Sequence, residues 1–189
     1  MAAPAAFATD CAGTDPTKPE QTQCGGATAS GAFATAVGYL ATASGNNSSA
    51  LGNNARGIGN NSTALGNNTT AGSATANNAT AVGNGASATG NNSSAFGNLA
   101  NASGTNSTAS GTGSIASGAY SSAFGSTAKS YANQCVAVGA NASAGVATPD
   151  PHNPVAKATA VGYNARAWGN ESVAVGQSAQ ATQKYATAV

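Results

Sequence analysis

The sequence predicts an all-β fold: a parallel β-roll, or solenoid, of about eleven 14-residue coils. Three observations predict it. A five-residue phrase, small–Ser/Thr/Val–Ala–apolar–Gly, recurs along most of the 189-residue chain. A weaker phrase of the same kind lies half a period away. Each phrase usually ends in Gly, and the next two residues are often Asn-Asn.

The strong phrase reads ATAVG at 34–38, SSALG at 48–52, STALG at 62–66, ATAVG at 79–83 and SSAFG at 93–97. It continues as STASG at 107–111, SSAFG at 121–125, CVAVG at 135–139, ATAVG at 158–162 and SVAVG at 172–176. From Ala36 to Ala188 the central alanines are spaced 14, 14, 17, 14, 14, 14, 14, 23, 14 and 14 residues apart. The weak phrase appears as ATASG at 41–45, ASATG at 86–90, ANASG at 100–104, SIASG at 114–118 and ARAWG at 165–169. Five residues alternating small-in and variable-out suit a short β-strand, whose faces alternate with period 2. Gly and Asn tolerate positive φ, so Gly-Asn-Asn suits a sharp corner. Two strands and two corners make one flat coil, and eleven coils stacked at ladder spacing rise about 50 Å. A helix is excluded, because Gly every seven residues costs about 1 kcal/mol each relative to Ala.

The composition agrees with a thin solenoid. Only 6% of residues are charged and 5% aromatic, with 25 glycines and a formal net charge of +1. Disorder usually carries high net charge; here, alanine is all that a narrow interior can hold. There is no basic run, which argues against binding nucleic acid through its phosphates. No apolar stretch approaches the roughly 18 residues of a membrane span.

Along the strong arm the alanines face inward and a larger residue faces out. That outward series is Val37, Leu51, Leu65, Val82, Phe96, Phe124, Val138, Val161 and Val175, with Ser110 as its one small member. An apolar stripe along a soluble rod is a liability unless covered. Burying each such side chain stabilises by about 1.5–3 kcal/mol. The stripe therefore predicts an oligomer without specifying which one.

SVAVG followed by Gln-Ser-Ala at 172–179, with its relatives, resembles the head repeat of YadA-like trimeric autotransporter adhesins. The resemblance runs from about Ala27 to Val189. It implies a left-handed roll, a homotrimer with the apolar stripe as its interface, and display on the outer surface of a Gram-negative bacterium. It also implies attachment to host extracellular matrix, a cell-surface receptor, abiotic surfaces or sister cells. The chain shows no heptad stalk and no C-terminal anchor, so the expectation is an excised head segment that meets the membrane only through an anchor outside it. An ice- or surface-binding solenoid is the alternative, since Thr35, Ser49, Thr63 and Thr80 could form a hydroxyl ladder; a phage or secreted fibre is another.

Residues 1–26 are not repeats and form a cap or linker; residues 27–189 form the repeat region. In an exported protein, Cys11 and Cys24 are candidates for a local disulfide that staples this cap. Cys135 falls at an inward position and reads as a buried small residue. The 17-residue spacing places three extra residues near 69–76, and the 23-residue spacing inserts nine within 145–157. The second insertion holds three prolines, which ladder strands exclude, and so predicts a protruding loop. It carries Asp150 and His152, candidates for ligand contact but too few for a metal site.

No enzyme is expected. The acids Asp10, Asp15, Glu20, Asp150 and Glu171 form no repeated pair, and the single histidine supports no triad. No catalytic residue, cofactor or metal is assigned. Arg56, Ile58, Lys129, Tyr131, Arg166 and Trp168 stand out on the outward weak arm. Arg166 and Trp168 are the first choice for a ligand surface, because Arg and aromatic side chains dominate contact hot spots.

Overall fold

The computed structural model describes residues 21–146 and 157–189. Within them the chain winds into a parallel β-solenoid of two sheets. The first sheet stacks twelve short strands, from Thr22–Cys24 through Thr35–Val37 to Thr187–Ala188. The second stacks eleven two-residue strands, from Thr28–Ala29 to Gln180–Ala181. Every pairing is parallel and joins equivalent positions of successive coils, for example Thr35 with Ser49 and Ala36 with Ala50. The strong phrase builds the first sheet and the weak phrase the second. The arms are shorter as strands than as phrases, because each phrase also supplies part of a corner. The first strand, Thr22–Cys24, already lies within the segment that the sequence sets apart as the cap.

Alanine fills the interior. Ala36, Ala50, Ala64, Ala81 and their successors through Ala174 are fully buried from the first sheet, as are Ala43, Ala71, Ala88 and Ala102 from the second. The other inward position of the first sheet is often serine. Such a serine reaches back three residues to the corner carbonyl: Ser48 Oγ donates to Gly45 O at 2.6 Å, and Ser172 Oγ to Gly169 O at 2.7 Å. This pairing satisfies the hydroxyl at zero exposure, whereas Ser107 and Ser121, at the same position and equally buried, have no side-chain hydrogen-bond partner. At the N-terminal end the interior is plugged differently. Gln21 is buried, and its amide donates to Gly31 O at 3.0 Å; Gln23 donates to Ala29 O at 3.1 Å.

The two corners use glycine for different reasons. After the first-sheet strand, Gly52 has φ +133°, where an L side chain is strained. After the second-sheet strand, Gly45 does not have a positive φ, but a Cβ there would lie 2.1 Å from the carbonyl oxygen of Gly59 in the next coil. Both glycines read as turn residues in the sequence, but the second is a requirement of close stacking. Two residues after the corner glycine, or after Ala76 in its place, the backbone is left-handed, held by Asn47, Asn54, Asn61, Asn68, Asn78 and Asn92 at φ 52–54°. Asn reaches this region at low cost, and its side chain then bonds to the coil beside it. Asn54 Nδ2 donates to Asn68 Oδ1 at 2.8 Å, and Asn78 Nδ2 to Asn92 Oδ1 at 2.9 Å.

Both insertions leave the coil at one equivalent place, the end of the second-sheet strand, through a glycine near φ +75°: Gly72 and Gly145. In the first, a turn closes with Ser73 N donating to Ala76 O at 3.1 Å. In the second, residues 147–156 lie outside the described residues, and so do Asp150 and His152. The ladder carries across it: Gly145 N donates to Ala167 O at 2.9 Å, and Lys157 N to Asn133 O at 2.9 Å.

Candidate functional site

A solenoid this thin keeps its backbone groups inside the ladders, so function falls to outward side chains. The first sheet presents the apolar stripe. Leu65 is 47% exposed, Phe96 41% and Phe124 43%; Val138 and Val175 are also exposed, and Val37, Leu51, Val82 and Val161 are half-buried. Neighbours in the stripe are ladder partners, Leu51 beside Leu65 and Leu65 beside Val82. Ser110 stands between Phe96 and Phe124 in the same row and thins the stripe there.

The second sheet is small and polar for most of its length. Its outward row reads Thr28, Thr42, Arg56, Thr70, Ser87 and Asn101 before the character changes. From Lys129 onward, ladder pairing aligns Lys129 with Ser143 and Ser143 with Arg166. Two residues further on, just past each strand, Tyr131, Gly145 and Trp168 form a second row, with Tyr131 N donating to Ala144 O and Gly145 N to Ala167 O. A coil with short side chains thus lies between two coils with long ones. The result is a groove of about 460 Å³ over Ser143 and Gly145.

Its walls are organised. The Arg166 guanidinium lies 5.1 Å from the centre of the Trp168 ring, within cation–π range. Trp168 Nε1 donates to Ser143 Oγ at 3.1 Å, which draws the indole toward the middle coil. Arg166 Nη2 donates to Asn164 Oδ1 at 3.4 Å. Thr127, Asn141 and Asn164, the left-handed corner residues of the three coils, edge the groove, and Thr127 Oγ1 donates to Asn141 Oδ1. Lys129 supplies a second cation across from Arg166, and among the described residues no carboxylate lines the space. Among the described residues Glu171 is the one carboxylate side chain, and its nearest cation is Lys157 at 4.0 Å.

In the sequence Arg166 and Trp168 stand out as a ligand surface, and Lys129 and Tyr131 stand out separately from them. The structure brings all four to one groove. It adds Thr127, Asn141, Ser143, Gly145, Val146 and Asn164, which are inconspicuous in composition. They emerge only when 129–131, 143–145 and 166–168 are aligned across the nine-residue insertion. Cys24 is disulfide-bonded, while Cys11 lies outside the described residues. Cys135 is a free, fully buried thiol. Burial pushes its pKa up, against backbone hydrogen bonds that pull it down. Among the described residues no three His, Cys, Asp or Glu side chains gather as a metal set, and no helix is long and apolar enough to cross a membrane.

Comparison with known proteins gives a family match. The family described as YadA head domain repeat (2 copies) matches residues 26–55, 58–72, 74–100, 88–114, 102–128, 116–142, 156–179 and 169–189. Among solved structures, one similar chain is the collagen-binding domain of the Yersinia adhesin YadA. It is 20% identical, with a TM-score of 0.44, and the match covers 88% of this chain and 72% of that one. No curated protein sequence matches significantly.

Proposed function

Because the chain belongs to the YadA head-repeat family, we propose that it is the head segment of a trimeric, surface-displayed adhesin that attaches to host extracellular matrix, cells or surfaces. The observation that carries the reading is the apolar stripe. It runs in strict ladder register along one face while Leu65, Phe96 and Phe124 stay 41–47% exposed in the single chain. Covering such a stripe stabilises by about 25 cal/mol for each Å² of apolar surface removed from water, and an interior of alanine and other small residues has little else to gain. The nine residues Val37, Leu51, Leu65, Val82, Phe96, Phe124, Val138, Val161 and Val175 are the interface of this proposal. Three chains packed stripe to stripe leave the second sheet, on the opposite side of each coil, facing outward with its groove.

The role is binding and display. Export to the bacterial surface belongs to the same reading, as does pairing of Cys24 with Cys11, which an oxidising compartment permits. The test is attachment of beads coated with the purified segment to collagen, other matrix proteins and intact cells. Saturable attachment that the soluble segment competes away is expected; beads that attach no better than uncoated ones to every surface would overturn the reading.

A further inference from the structure

We propose that the groove over Ser143 and Gly145 binds an acidic saccharide: a sugar ring carrying a sulfate or carboxylate, held between Lys129 and Arg166. The inference rests on the adhesin reading only in taking the second sheet to be the ligand-facing side, and it names the ligand class that this side would take.

Three features of the groove point there. First, the charge is of one sign. Lys129 and Arg166 sit two ladder steps apart, about 9–10 Å along the stacking direction. Among the described residues no carboxylate lines the space between them, in a chain whose formal net charge is only +1. Two cations at one small cavity are therefore a local arrangement and not a general property of the surface. An anion entering between them meets two donors that no acid among the described residues already holds. Second, the rest of the lining suits hydroxyl groups. Asn141, Asn164 and Ser143 offer neutral donors and acceptors, and the Trp168 and Tyr131 rings offer flat apolar faces for the C–H side of a sugar. A volume of about 460 Å³ lies in the range of small-ligand sites. Third, the backbone beneath is spent. Ser143 N, Gly145 N and Arg166 N already donate to Ala165, Ala167 and Ala179 carbonyls at 2.8–2.9 Å. A peptide strand cannot add to the sheet face by main-chain bonds, so recognition must come from side chains. That favours a hydroxyl-rich ring over an acidic peptide.

The sole tryptophan of the chain lies in the groove, so its fluorescence reports occupancy directly. The segment would be titrated with a sulfated uronic-acid disaccharide, with sialyllactose, with neutral lactose and with hexaglutamate. A saturable change with either acidic sugar, and none with lactose or hexaglutamate, is expected; the sulfated and sialylated arms tell which anion is preferred. Calorimetry on Lys129→Gln and Arg166→Gln should then show at least a tenfold loss of affinity in each. Ser143→Phe, which fills the groove and keeps both charges, should abolish binding. Unchanged melting temperatures would establish that the variants fold. Absence of saturation with both acidic sugars, an equal response to lactose or hexaglutamate, or undiminished affinity in folded Arg166→Gln and Ser143→Phe would overturn the proposal. Bead attachment measured in parallel separates the two readings. Attachment without saccharide binding removes only the groove inference; saccharide binding without attachment to any surface removes only the adhesin reading.

Discussion

Asn61 and Asn78 occupy neighbouring rungs of one corner ladder although 17 residues separate them. The Asn61 side-chain amide donates to Asn78 Oδ1 at 3.2 Å, and Asn78 N donates to Asn60 O at 2.8 Å. The same contacts across an ordinary 14-residue step, Asn47 to Asn61, measure 3.3 Å and 2.8 Å. The three extra residues, Ser73, Ala74 and Thr75, are thus looped out of a ladder that does not register them. Deleting 73–75 should leave a folded solenoid with a melting temperature within a few degrees of the parent, since surface loops contribute little beyond closure entropy. Thermal unfolding followed by circular dichroism checks this.

The two kinds of corner glycine predict different tolerances. At Gly45 a Cβ would lie 2.1 Å from a backbone oxygen that cannot swing away. Gly45→Ala should cost about 2–3 kcal/mol, as overpacking does. At Gly113, φ is +64° and a Cβ meets only Thr127 Cγ2 at 3.6 Å. Asn54 and Asn68 hold the equivalent place in other coils. Gly113→Asn should be neutral or stabilising by a few tenths of a kcal/mol, because it narrows the unfolded chain without straining the corner. Denaturant titration of both variants gives the comparison.

Much of the fold was legible in the sequence because the repeat is a length as well as a phrase. The 14-residue step fixes which residues stack, and alternation fixes which face inward. The two glycine roles were not legible, since Gly45 and Gly52 end similar phrases and differ only in φ and in what the next coil places against them. The groove was not legible either. Lys129 and Arg166 are 37 residues apart, and the groove is made as much by the smallness of Ser143 and Gly145 as by the size of their neighbours. Small residues are the background of this sequence and carry no signal until the ladder is drawn.

Cys135 should behave as a buried spacer. It is fully buried where other coils place Ser or Ala, and Ala158 N donates to its Sγ at 3.4 Å. Its raised pKa sets the sign of a pH effect. Below the ordinary thiol range both folded and unfolded chains hold the proton and stability is unaffected. As pH rises past that range the unfolded thiol ionises while the folded one does not, so stability falls. Cys135→Ser should remove that alkaline loss and lower neutral-pH stability by no more than about 1–2 kcal/mol, because the equivalent hydroxyl is hydrogen-bonded at Ser172 but buried without a partner at Ser107 and Ser121. Alkylation of native Cys135 should be slow and should accelerate on unfolding.

The stripe predicts that its largest members matter to assembly more than to the coil. Phe124 and Leu65 are 43% and 47% exposed in the single chain. Phe124→Ser copies the residue at Ser110, which the same row already accommodates, so each coil should still form. Association should weaken by about 1–2 kcal/mol for each chain, the share of a large apolar side chain left to be buried by a partner. Leu65→Asp should weaken it further by burying a charge at the interface. The concentration dependence of unfolding reads both effects.

The central claim is that a thin alanine-filled coil completes its core by packing its apolar stripe against two copies of itself. The mass of the segment in solution tests it most directly. Sedimentation equilibrium or light scattering at micromolar concentration should give three times the 17.8 kDa chain mass, shifting toward the single-chain value in Leu65→Asp. A stable, folded species at 17.8 kDa across that concentration range would contradict the account.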